Sequence, residues 1–232
     1  IDLAAPKGRL ILPQVQVLRE VLDAGAMALT VKESEVADML RGLAAKPALV
    51  ITDSQAVREV AAAVPEDIRL TTFSTLFARY KGDFAAQLAG AAAIDTLKDG
   101  DRVLIAEGCS HHVTCDDIGR VKIPNWMKKY TGRELKFEWT QGADFPDNLE
   151  DYALVVHCGG CMLNRAEVRR RINECARQGV KVTNYGIVIS KMQGVLERVV
   201  KGIADAGATG SVSATGSISD TGSISDTGEE GD

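Results

Sequence analysis

The sequence predicts an α/β protein of two small domains, each a mainly parallel sheet flanked by helices, with a disordered carboxy-terminal tail. Three observations predict it. Short β-rich apolar runs alternate with amphipathic segments, the grammar of strand, right-handed crossover helix and parallel strand. With 232 residues and 45% hydrophobic content, the chain can bury a real core and fill one or two domains. The last stretch, 206–232, repeats "GSISDT" at 216–221 and 222–227 and has almost no large apolar groups to offset its ordering entropy.

After "GRLILP", residues 14–24 carry Val17, Leu18, Val21 and Leu22 at helical spacing, and Gly25 can stop the helix. "AMALTVK" (26–32) reads as a strand. Residues 33–45 place Val36, Met39, Leu40 and Leu43 on one helical face. "ALVITD" (48–53) reads as a buried strand, with Asp53 or Ser54 able to cap the next helix, and "IRLTTFS" (68–74) as a third strand. The polar, glycine-containing "RYKGD" (79–83) marks a boundary, giving a first domain over 1–81.

The second domain, 82–205, repeats the pattern. An Ala-rich helix (83–97) precedes the strand "RVLIAEG", which ends at Cys109. A helix over 116–130 is interrupted near Pro124, and "ELKFEWT" is the next strand. "YALVVHC" (strand), 164–178 (helix), "VKVTNYG" (strand) and 187–201 (helix) complete it.

Net charge is −5, and residues 206–232 hold five acids (Asp220, Asp226, Glu229, Glu230, Asp232) without Lys or Arg, so the body is about neutral. No basic surplus argues for nucleic acid. No apolar run is long enough for a bilayer and no signal-peptide pattern opens the chain, which makes a cytoplasmic location the default. The first residue is Ile1 rather than Met, as in a fragment of a longer chain. Five cysteines, an odd number, fit reduced thiols or metal ligands better than a disulfide framework.

The thiols are arranged for chemistry. "RVLIAEGCSHH" delivers Cys109 and His111 at one strand end, and "YALVVHCGGC" delivers His157, Cys158 and Cys161 at another. Sites in open parallel sheets form at the carboxyl ends of strands, so the two groups can meet across 45 intervening residues. Gly159 and Gly160 leave room for an inorganic group against the backbone, and Asn164 with Glu167 resembles a capping box that aims a helix amino end at the thiols. A structural Cys₃His zinc site, an iron–sulfur cluster and a catalytic dithiol of Cys158 and Cys161 all remain open on spacing alone.

Cys109-x-His111 followed by His157-Cys158-x-x-Cys161 resembles the CxH…HCxxC signature of the HydF family, the [FeFe]-hydrogenase maturation GTPases. "APKGRLILPQVQ", "TTFSTLFARYKGD", "DDIGRVKIP", "HCGGCMLNR" and "TNYG" are similar to the same family, over roughly residues 1–205. The family has a GTPase, a dimerisation and a cluster domain, and this chain resembles the last two. It contains no GxxxxGK phosphate loop, so a scaffold rather than an enzyme is expected. The resemblance implies a [4Fe-4S] cluster on Cys109, Cys158 and Cys161, with one iron left to an exchangeable ligand. It further implies a transient di-iron precursor bearing CO and cyanide, passed to apo-[FeFe]-hydrogenase, a homodimer, and contact with the other maturation proteins. His111, His157, Asp116 and Asp117 are candidates for the fourth position, and Cys115 lies outside the signature.

Other residues read as structural. Cys175 falls on a helical face with Val168 and Ile172, Trp126 and Trp139 are expected over the sheet, and Arg169, Arg170 and Arg171 are expected on a solvated face. His112 reads as a solvent or outer-shell side chain. The first 81 residues contain neither His nor Cys, and their small core would gain from pairing a sheet edge with a second copy.

Overall fold

The computed structural model describes residues 1, 10–109 and 117–204. His111, His112, Cys115, Asp116 and the tail expected over 206–232 lie outside the described residues. Two parallel sheets flanked by helices make the protein mixed α/β, as the alternation of runs predicts.

In the first sheet β1 (Val50–Thr52) and β2 (Leu70–Thr72) run parallel, with Val50 opposite Leu70. Before them come α1 (Leu12–Asp23) and α2 (Val36–Gly42), and α3 (Val57–Ala63) makes the crossover. Gln14, fully buried, donates its amide to the Asp53 carboxylate at 3.0 and 3.2 Å and so ties α1 to the end of β1. β2 stops at Thr72 rather than continuing through Ser74, because the Thr72 hydroxyl accepts from Thr75 N and caps α4 (Phe73–Lys81).

The strand expected over "AMALTVK" is not found among the described residues: 26–32 pair with no described strand, and Met27 is 98% exposed. Its composition is β-rich, but a strand needs a neighbour for its N–H and C=O groups. Only Val31 reaches the core, while Val31 O accepts from the amino terminus of Ile1.

The second sheet has the order β4-β3-β5-β6, all parallel. It is built from β3 (Arg102–Ala106), β4 (Lys136–Thr140), β5 (Leu154–His157) and β6 (Lys181–Asn184). Around it lie α5 (Phe84–Ala91), α6 (Ile123–Thr131), α7 (Arg165–Arg177) and α8 (Tyr185–Met192). A π-helical turn, Ile118–Lys122, leads into α6, so the expected interruption falls just ahead of Pro124. Val103, Ile105, Leu154 and Val156 face α6 and α8 with Met127 and Val188, while Leu104, Ala106 and Val155 face α7 with Ile172 and Cys175. Trp126 and Trp139 pack on the first of these faces, and Cys175 is fully buried in the second, as expected.

α5 meets β6 backbone to backbone. A methyl group on Gly90 would stand 1.9 Å from Val182 O. Gly90→Ala should gain about 1 kcal/mol of helix propensity but lose more, about 3 kcal/mol, to the forced separation. A urea midpoint at or above that of the parent chain would show that the contact is slack.

The last helical stretch is two helices, not one: Gly194, at φ 74°, breaks the chain between α8 and α9 (Leu196–Ala204). α9 returns to the first sheet. A methyl on Gly202 would stand 2.1 Å from Leu70 O, Arg198 donates to Ala61 O, Val64 O and Pro65 O, and Arg79 donates to Ile203 O.

Candidate functional site

β3 has β4 on one side and β5 on the other, so the chain direction across the sheet reverses between β3 and β5. That is the switch point where parallel sheets open a crevice at their carboxyl ends. Ala106 pairs with His157, and Cys158 N donates to Ala106 O at 2.9 Å. Cys158 therefore leaves the sheet beside Glu107-Gly108-Cys109.

The two strand ends touch through sulfur. Gly108 N lies 3.0 Å and Gly160 N 3.3 Å from Cys158 Sγ, both donating to it. A Cβ at Gly108 would collide with Leu163 Cγ at 2.8 Å, so glycine is what lets the β3 end approach. Burial pushes the Cys158 thiol up against the pull of these two amides. Cys161 is pushed up by burial and by Cys158, with Lys81 acting the other way. Cys175, inert in the core, is pushed up to about 12 by burial.

His157 is fully buried, and its Nδ1 lies 2.7 Å from Cys158 O. A carbonyl only accepts, so Nδ1 carries the proton and Nε2 keeps a bare lone pair. Nε2 is buried without a hydrogen-bond partner among the described residues. Burial lowers the ring's pKa to about 4, so it is neutral at physiological pH.

Asn164 caps α7 through Glu167 N at 2.8 Å, half of the expected capping box. The Glu167 carboxylate instead binds Arg170 and Arg171. Arg171 is not on a solvated face as the sequence suggests: it is fully buried, because within the arginine run it alone lies four residues from Glu167 on the side of Val168. Its Nη2 donates to Gly142 O, and its Nη1 is buried without a partner among the described residues. A cavity of about 530 Å³ opens here, lined by Gly108, Cys109, Met162, Leu163, Arg170 and Arg171 among others.

Of the signature residues, Cys109, His157, Cys158 and Cys161 are described, and the structure brings the β3 end, Cys158 and the turn to Cys161 together. Among the described residues no group of three or more His, Cys, Asp or Glu is gathered to hold a metal ion. Asp117 caps the π-helical turn, with Oδ1 accepting from Gly119 N and Arg120 N at 2.9 Å. Sequence reasoning missed Lys81, whose ammonium reaches the cysteine turn. The signal was available: Phe73, Phe77 and Lys81 recur every four residues and share one helix face.

The fold and site define a parallel α/β protein with a cysteine-bearing crevice at its switch point. Residues 1–82 match the hydrogen maturase F dimerization domain and residues 85–202 the hydrogen maturase F tetramerization domain. The chain belongs to the hydrogen maturase F (HydF) family. Comparison with curated proteins gives no match. Both matched segments are described by self-association and neither is a GTPase domain, which ties the chain to hydrogenase maturation and to assembly with copies of itself. Among the described residues no helix is long and apolar enough to cross a membrane.

Proposed function

We propose that this chain is a scaffold in [FeFe]-hydrogenase maturation. Cys109, Cys158 and Cys161 hold a [4Fe-4S] cluster, and a di-iron precursor is kept beside it for delivery to apo-hydrogenase. Residues 1–81 form the dimerising unit, with exposed Met27 and Leu29 as apolar surface for a second copy, and 82–205 form the cluster unit. The carrying observation is the pair of backbone amides, from Gly108 and Gly160, aimed at Cys158 Sγ where the two strand ends meet.

The donor set fits the cluster. Thiolates are soft ligands, and N–H donors to sulfur favour an anionic cluster. Ligands of a cube bind different irons and so stand farther apart than ligands of one ion. When bound, the cluster would supply an iron that three cysteines leave open to an exchangeable ligand. The chain's own groups do the rest. Gly108 and Gly160 amides spread charge from sulfur, and neutral His157 presents Nε2 as an acceptor or ligand. Arg170 and Arg171, with Glu167 paired between them, leave this side of the cavity one positive charge in excess, which suits an anionic cargo.

Anaerobic reconstitution tests this. The expected product is brown, holds iron and acid-labile sulfide in equal amounts, bleaches with dithionite, and shows a reduced EPR signal that imidazole or cyanide perturbs. A colourless protein carrying zinc would establish a structural zinc site instead, and a colourless metal-free one a dithiol. A cluster signal indifferent to every small ligand would remove the open iron.

A further inference from the structure

Lys81 is the last residue of α4, which lies outside the sheet that carries the cysteines. Its residue is only 8% exposed, and its ammonium donates to Gly160 O at 3.1 Å, Cys161 O at 3.2 Å and Leu163 O at 2.8 Å. An ammonium has three N–H donors, so the cysteine turn takes them all. Three carbonyls so close in sequence converge on one point only where the backbone curls round it, and Gly160 at φ 65° supplies the bend. The ammonium also lies 4.9 Å from the centroid of the Phe77 ring. The other end of α4 meets the same region: a methyl on Gly159 would come within 3.4 Å of Ser74 Oγ, and Asn184 Nδ2 donates to Ser74 O at 3.0 Å.

Burying a cation is costly unless it is paired or fully hydrogen-bonded. Here the compensating carbonyls belong to the turn that bears Cys158 and Cys161.

We propose that Lys81 is a positioning residue for the cluster turn. It curls the Cys158–Cys161 backbone into its thiol-presenting shape from a helix of the dimerization segment, and it fixes a positive charge beside the thiolate-bound group. The inference rests on the cluster reading above. One-electron reduction adds negative charge to the cluster, and a fixed cation nearby favours the reduced form, so the charge raises the reduction potential.

The test uses the whole chain, anaerobically reconstituted, as parent, Lys81→Arg, Lys81→Gln and Lys81→Met. Two quantities are read: the rate of iron loss to a chelator, and the midpoint potential in an EPR-monitored titration with dithionite as electron donor. Lys81→Met should lose iron on the order of tenfold faster, the factor that a charged hydrogen bond corresponds to, and its potential should move negative. Lys81→Gln keeps N–H donors without charge, so it should release iron more slowly than the Met variant yet show the same negative shift. Lys81→Arg should keep the parent potential. Parent-like rates and potentials in both neutral variants would overturn the proposal. Should Lys81→Met fail to fold, the Gln and Arg variants decide, and equal potentials in those two overturn it. If the parent chain takes up no cluster, the scaffold reading falls and this inference with it. If the parent does and the variants match it, only this inference falls.

Discussion

Cys158→Ala should abolish cluster uptake, leaving iron and sulfide at background after reconstitution. The substitution removes the sulfur that accepts from Gly108 N and Gly160 N and joins the β3 and β5 strand ends. Cys109→Ser should do the same while the dimer survives, since no cysteine lies in the dimerization segment. Cys175→Ala is the control. That thiol is fully buried between α7 and the sheet, so its loss should cost about 1 kcal/mol of stability and no iron. Iron retained by Cys158→Ala, or lost with Cys175→Ala, would move the site elsewhere.

Glu167→Gln should destabilise the fold by about 3 kcal/mol, the lower end of the cost of leaving a buried charge without its partner, because Glu167 itself is only partly buried. Arg171 is fully buried with Nε 2.8 Å from Glu167 Oε1, so the neutral amide leaves a cation in the interior without its anion. For a chain of this size that corresponds to a fall of about 6–12 °C in Tm. Its pH dependence has a definite sign. Hydrogen bonds from Arg170, then from Arg171, hold the Glu167 carboxyl at about 2 against an ordinary 4.5. A depressed folded-state pKa contributes stability that is whole above the unfolded value and is lost as pH falls through the folded one. The gap between parent and Glu167→Gln should therefore be full at pH 7 and close between pH 4.5 and about 2. Equal Tm values at neutral pH, or a gap unchanged in acid, would show that Arg171 does not depend on this partner.

The second sheet was legible because its strands announce themselves. "RVLIA" and "LVVH" are apolar on both faces, as strands covered on both sides by helices must be, and all four residues of β5 are buried. The α7 face of Val168, Ile172 and Cys175 was equally plain. Residues 26–32 pair with no strand among the described residues, and β propensity cannot say whether a neighbouring strand exists to pair with. Composition misled after residue 186: one glycine in the left-handed region redirects a helix without disturbing the apolar spacing on either side. The CxH and HCxxC spacing revealed the thiols, since ligand chemistry is written in residue type. The supports of that turn were hidden. Lys81 comes from another segment, and Arg171 is told from its two neighbours only by the helical angle at which it emerges.

The seating of α9 on β2 also bears on the order in which the molecule can be made. Each strand of the first sheet is three residues long, and Leu70 is wholly covered only once residues near 202 are in place. A pair of such short strands has little stability of its own. A chain emerging from the ribosome would thus complete its second sheet first, while its amino-terminal segment waits for α9 to arrive and lock it.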